Sequence, residues 1–245
     1  MIAVLVCATV GANSLSAQVD ATGPGAVHIP TEDDVVAATM APTSPYFYLP
    51  MMARYMEGDT SLTDAHYFYL YYGYAYEAEF DAHDDLPGEA VISEIFARTD
   101  RPDREDALAL IEAGRQNMTV DPFSPSNLNM MTFAYELVGD TEGARVSDHR
   151  FRGVVRAITS SGTGVREKSP WHILRFSHAE DIMAARGLTV AERTVRTRTV
   201  EYLQAEPNPA GVKGYFFDFE RVYWKPFEGE RVEREHRWLF NGFPI

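Results

Sequence analysis

Residues 67–76, Tyr-Phe-Tyr-Leu-Tyr-Tyr-Gly-Tyr-Ala-Tyr, constrain the fold more than any other stretch of the chain. Tyr67, Leu70, Tyr71 and Tyr74 fall at i, i+3, i+4 and i+7, which is one face of an α-helix. Phe68, Tyr72 and Tyr76 make a second aromatic face. A helix that is apolar on more than one side must be covered on more than one side. Thr63 is placed to cap it, so the spacing predicts a helix to about Tyr76 with other elements around it. Two uses of the rings stay open. Tyr67, Tyr71, Tyr74 and Tyr76 could line a groove for sugars or peptides, since a flat ring with a hydroxyl suits both. Alternatively they fill the core with their hydroxyls bonded to backbone carbonyls, and the apolar spacing on more than one side favours this.

The flanking sequence reads as further helices. Periodicity predicts them over Leu86–Ala97, Asp106–Gln116, Asn127–Leu137 and Glu142–Ile158. The prolines around Tyr46, Phe47 and Tyr48 predict a turn over 41–50. Pro122, Tyr135, Gly139, Asp140 and Ala144 sit at spacings that resemble the tetratricopeptide pattern, with Gly-Asp turning between paired helices and small Ala144 at their crossing. After the turn at Ser160–Gly164 the pattern changes. Trp171–Phe176 is a short strand candidate, Ala179–Ala185 a short helix, and Thr194–Leu203 and Tyr215–Trp224 two long strands. These two should pair antiparallel; alternation puts Arg196 and Arg198 on one face and Asp218 and Glu220 on one face of the other, and cross-strand ion pairs form if those faces coincide. The expected class is α+β: N-terminal helical hairpins followed by a small antiparallel β-sheet with a short helix.

At the N-terminus, Ile2–Val10 is too short to span a membrane but has the length of a signal-peptide core, and Ala17 is a plausible residue before the cut. The usual positive start is missing, which points to a true start slightly upstream. Cleavage there would remove Cys7, the one cysteine. The organisation expected is a signal peptide over 1–17, a flexible leader over 18–44, a helical part over 45–158 and an α+β sheet part over 159–245, docked as one globular unit. Export to the periplasm or beyond follows from this reading, and no transmembrane span is expected in the mature chain. The formal net charge of -14 argues against nucleic-acid or anionic-lipid partners. The local basic clusters (Arg145, Arg150, Arg152, Arg156 and Arg193, Arg196, Arg198) read as partners for neighbouring acids.

Tyr55–Thr63, followed by Leu70-Tyr71-Tyr72-Gly73-Tyr74, resembles the family catalogued as domain of unknown function 4919. Gly162-Thr163-Gly164, Ser169–Ile173 and Gly211–Asp218 are similar too. The resemblance spans roughly 45–220, and the tail from Phe227 to Ile245 departs from the family pattern. It implies an exported bacterial protein with helices before sheet, and it implies no reaction.

Motifs for known chemistry are missing from the sequence: no G-x-S-x-G, no H-E-x-x-H, no P-loop. Gly162-Thr163-Gly164 lacks a third glycine and reads as a turn. Glu77, Glu79, Asp81, His83, Asp84 and Asp85 gather oxygens, but without the order or central glycine of a calcium loop, so no metal or cofactor is expected. His172 and His178 could bracket a site across a strand and turn, although neither has a ligand-like spacing. The favoured expectation is a non-catalytic exported protein that binds a protein or glycan partner at the envelope through its helical half. The alternative is a hydrolase using Glu77 or Asp81 beside His66 or His83 as acid and base.

Overall fold

The computed structural model describes residues 27–78 and 80–223. The expected signal peptide, Glu79 and the tail from Phe227 lie outside the described residues. The helical half holds α1 (Glu32–Met40), α2 (Tyr48–Met56), α3 (Asp64–Gly73), α4 (Glu89–Arg98), α5 (Arg104–Asn117), α6 (Pro125–Val138) and α7 (Thr141–Thr159). Then come β1 (Trp171–His172), α8 (Ser177–Ala185), β2 (Val190–Val195), β3 (Val200–Ala205) and β4 (Gly214–Asp218). The class is α+β.

Local chemistry sets the helix boundaries. The Thr63 side chain accepts the His66 backbone N–H while the His66 ring accepts that of Thr63, a reciprocal cap on α3. Asp103 and Asp106 do the same for α5. Ser124 caps α6 with Pro125 in its first turn, where a missing N–H costs nothing. Gly139, left-handed at φ 80°, ends α6, and Asp140 caps α7 directly after it. Two helices start where composition gave no warning. α2 begins inside the proline-rich stretch expected as a turn, because Pro50 falls in its first turn. α1 lies inside the stretch read as a leader: Thr31 caps it, Val35 is buried, and the His28 ring stacks on Phe68 of α3 at 4.0 Å.

α3 stands at the centre. Tyr67, Tyr71 and Tyr72 are each no more than 1% exposed, and Tyr74 and Tyr76 in the turn after it are buried too. Tyr67 packs on α7 against Gly153, where a β-carbon would stand 2.5 Å from the ring. Hydroxyls reach distant backbone: Tyr72 donates to the His172 carbonyl at 2.9 Å, Tyr74 to Val120 at 2.8 Å, and Tyr55 of α2 to Pro122 at 2.6 Å. α6 and α7 form the expected hairpin. Its close approach falls on Gly143, where a β-carbon would stand 2.6 Å from the Tyr135 ring, beside the buried Ala144.

The sheet has the order β1-β4-β3-β2. β3 and β4 pair antiparallel, with Leu203 opposite Tyr215. β1 runs parallel to β4, so the sheet is mixed. Thr194–Leu203 is not one strand: β2 and β3 are a hairpin that turns at 196–199. That turn lacks glycine and proline. It is made by the Thr197 hydroxyl, which accepts the N–H groups of Thr199 and Val200. Arg196 and Arg198 therefore sit in the turn and make no ion pairs with Asp218 or Glu220. Arg196 instead lies 5.6 Å over the Tyr202 ring, and Asp218 stands 3.5 Å from His172. Other arginines meet acids: Arg145 with Glu142, Arg152 with Asp148, Arg156 with Asp64, Arg193 with Glu180. Buried Arg150 donates to the carbonyls of Tyr55 and Met56 at the end of α2.

The contact between α3 and α7 yields a test. Gly153→Ala adds a methyl where Tyr67 leaves no room, an overpacking cost of about 1–3 kcal/mol. Helix propensity returns only about 1 kcal/mol. A net loss of stability is expected in chemical denaturation, and Tyr67→Leu in the same chain should relieve it.

Candidate functional site

The residues singled out in the sequence end in different surroundings. Tyr67, Tyr71, Tyr74 and Tyr76 are enclosed, so their rings meet protein rather than solvent. Partly exposed Tyr46 and Tyr69 pack on each other at 4.5 Å. His66 is absorbed in the α3 cap. Asp81 and His83 do come together on the exposed loop after α3: Asp81 Oδ1 accepts the His83 backbone N–H at 2.9 Å and stands 3.2 Å from its Nδ1. Glu77 is half-buried at the start of that loop. Arg175 holds the loop from beneath, its guanidinium donating to the carbonyls of Asp81 and Asp84 at 2.6 and 3.1 Å. Among the described residues no three His, Cys, Asp or Glu side chains converge as metal ligands would.

His172 and His178 belong to separate buried networks. Tyr71 accepts the Leu174 N–H at 3.0 Å and lies 2.8 Å from His178 Nδ1. One proton is shared between the Tyr71 hydroxyl and His178 Nδ1. Nε2 donates to Asp121 Oδ2 at 2.9 Å. Burial works to raise the Asp121 carboxyl, but the His178 ring, Arg175 at 3.6 Å and the Phe123 N–H outweigh it and hold it below the usual range. At His172, burial first and Arg221 second push the pKa down to about 3, so the ring is neutral. Its Nδ1 accepts from Arg221, which also donates to the Pro30 carbonyl. The Tyr–His–Asp order resembles acid–base machinery, yet Tyr71, His178 and Asp121 are at most 2% exposed. Their hydrogen bonds join α3, the 121–123 segment and α8.

Among the described residues, a concavity lined by both apolar and acidic side chains reaches solvent. A cleft of about 280 Å³ opens between α4, α6 and α8, with Phe151 of α7 beside it. Leu86, Ile92, Phe96, Met130 and Phe133 make its walls apolar. Of the three asparagines in its lining, Asn117 accepts the Gly88 N–H and Asn127 donates to the Gly114 carbonyl, while Asn129 is exposed. Asp181 of α8 also lines it: its Oδ2 accepts the backbone N–H and hydroxyl of Ser126, at 3.3 and 3.1 Å, in the first turn of α6. Oδ1 makes no hydrogen bond among the described residues. Burial raises the Asp181 pKa to about 6, against the lowering effect of His178 and the Ser126 donors, with Asp121 adding to the rise. A carboxylate whose ionised form the fold disfavours, standing in a cleft, marks a candidate site.

The family model for the domain of unknown function DUF4919 matches residues 35–225. The chain belongs to this family. No curated protein and no solved structure matches it. The matched DUF4919 region holds every residue of the cleft, together with both buried networks apart from Pro30. Sequence reasoning missed Asp121, Arg175, Ser126 and Asp181. The Ser124-Pro125 helix start and the three-residue spacing of His178 and Asp181 on one short helix were legible, but nothing local placed them at a common cleft.

Tyr71→Phe should strand His178 Nδ1 and the Leu174 N–H, costing about 1–3 kcal/mol for each buried group left unpaired. The check is denaturant unfolding of variant and parent. Asp181 behaves in the opposite sense. Its folded pKa is raised, so the stability it contributes is complete below its unfolded value near 4 and is lost as pH rises through about 6. Asp181→Asn does not titrate, so its melting temperature should overtake the parent's between pH 4.5 and 7.5.

Proposed function

We propose that this DUF4919 protein is a non-catalytic binding protein that takes its ligand into the cleft beside Asp181. One observation carries the reading. His172, His178 and Asp121 are enclosed and bonded, whereas the cleft pairs apolar walls with a carboxylate oxygen left over on Asp181. The ligand site thus lies on α4, α6 and α8 rather than on the tyrosine helix. Export is part of the same proposal, supported by the apolar run at 2–10 and by Ala17. The partner would then be met at the envelope.

The hydrolase alternative rests on the Asp81–His83 contact, on an exposed loop. Thermal-shift screening of peptide, glycan and metabolite libraries tests both readings. Ala184 is exposed on the cleft wall, so Ala184→Trp should fill the cleft without harming the fold. Stabilising hits should vanish with Ala184→Trp at an unchanged melting temperature. Hits indifferent to that variant would overturn the cleft as the binding site. Turnover of a hit, abolished by His83→Ala, would put the hydrolase reading in its place.

A further inference from the structure

Resting on the binding reading, we infer that the cleft selects a small apolar ammonium compound, its hydrocarbon body between the helices and its cationic head on Asp181. Size comes first. At about 280 Å³ the cleft falls just under the usual range for drug-sized ligands, so it suits a body on the order of ten non-hydrogen atoms. The walls decide the body: Phe96, Phe133 and Phe151 present rings, and Ile92 and Met130 fill between them. The charge decides the head. Asp181 and Glu89 are the charged residues of the lining, both acidic, and no lysine, arginine or histidine joins them.

The free lone pairs point the same way. Asp181 commits Oδ2 to Ser126, and Glu89 accepts at Oε1 from the Ser93 hydroxyl at 3.2 Å. One oxygen of each carboxylate is left to accept, and an ammonium supplies three donors. An anionic head meets repulsion at both. The first-turn N–H of α6 that could have attracted an anion is already taken by Asp181. Docking on Ser126 accounts for one carboxylate oxygen. It does not account for an acid where a neutral amide would accept the same two bonds with no charge to bury. The groups that bear on Asp181 are His178 and Asp121 behind it, Ser126 on α6 and Glu89 across the cleft. A bound cation adds a favourable charge and draws the Asp181 carboxyl down from about 6.

The test compares three probes of one shape by calorimetric titration at pH 7.5: 2-phenylethylammonium, 2-phenylethanol and 3-phenylpropanoate. The ammonium should bind about tenfold tighter than the alcohol, the difference of one partly desolvated charge contact, and the carboxylate weakest. Asp181→Asn should bring ammonium and alcohol within about twofold while the alcohol's affinity is kept, and Ala184→Trp should abolish both. At pH 5, where Asp181 is largely protonated, the ammonium should lose most of its advantage and the alcohol should not change. Equal affinity of ammonium and alcohol, both blocked by Ala184→Trp, overturns the inference and leaves the cleft as a binding site. Failure of all three probes overturns it as well, and the binding reading then falls only if the library hits also ignore Ala184→Trp. A Phe-Lys peptide that binds where the small ammonium does not would overturn the assignment to a free small molecule.

Discussion

An α-helix that is aromatic on more than one side cannot stand at a surface, and the rest of this fold follows from enclosing one. α3 carries Tyr67, Phe68, Tyr71 and Tyr72 into the interior together. Each ring brings a large area to bury, and each tyrosine also a hydroxyl that must find a partner once water is excluded. The hydroxyls do more than avoid a penalty. Tyr72 and Tyr71 reach the 172–178 segment, which leads from the helices into the sheet. The aromatic faces drive burial, and the hydroxyls set where the second half of the chain docks. α7 accommodates this by presenting Gly153 to Tyr67.

Asp121 and Asp181 show how one side-chain chemistry acquires two roles. Burial pushes both carboxyls upward. At Asp121 the adjoining His178 and Arg175 overcome that push, and the ionised group ties a loop to α8. At Asp181 the donors of Ser126 do not suffice, and the carboxyl stays raised beside a cleft. The first arrangement is satisfied and closed. The second holds an acceptor in reserve at a place a small molecule can reach. A fold can carry such a destabilising group where binding requires it, since stability needs only to stay above a threshold.

Much of the helical half is legible in the residues alone. The ends of α3, α5, α6 and α7 follow from Thr63, Asp103, Ser124 and Gly139-Asp140, whose capping chemistry is local. α1 was hidden because its short, acidic sequence has little apolar periodicity, and its one buried anchor, Val35, makes sense only against α3. The sheet is less legible. Thr197 closes a turn with its hydroxyl where glycine or proline would have announced one, so β2 and β3 look like a single strand. β1 is a two-residue strand, too short for any period to declare, and its parallel partner lies far along the chain.

The sequence by itself determined that a helix near residue 70 would be buried on more than one side, that capped helices would precede a sheet, and that no familiar catalytic motif is present. These are consequences of residue type and spacing within a few turns. Tertiary structure decided which histidine meets which carboxylate, and which aspartate stays open. His178 is 107 residues from Tyr71 and 57 from Asp121, and Asp181 is 55 from Ser126. Hydrogen bonds and desolvation act over a few ångströms, so such groups take on a role only when folding brings them together.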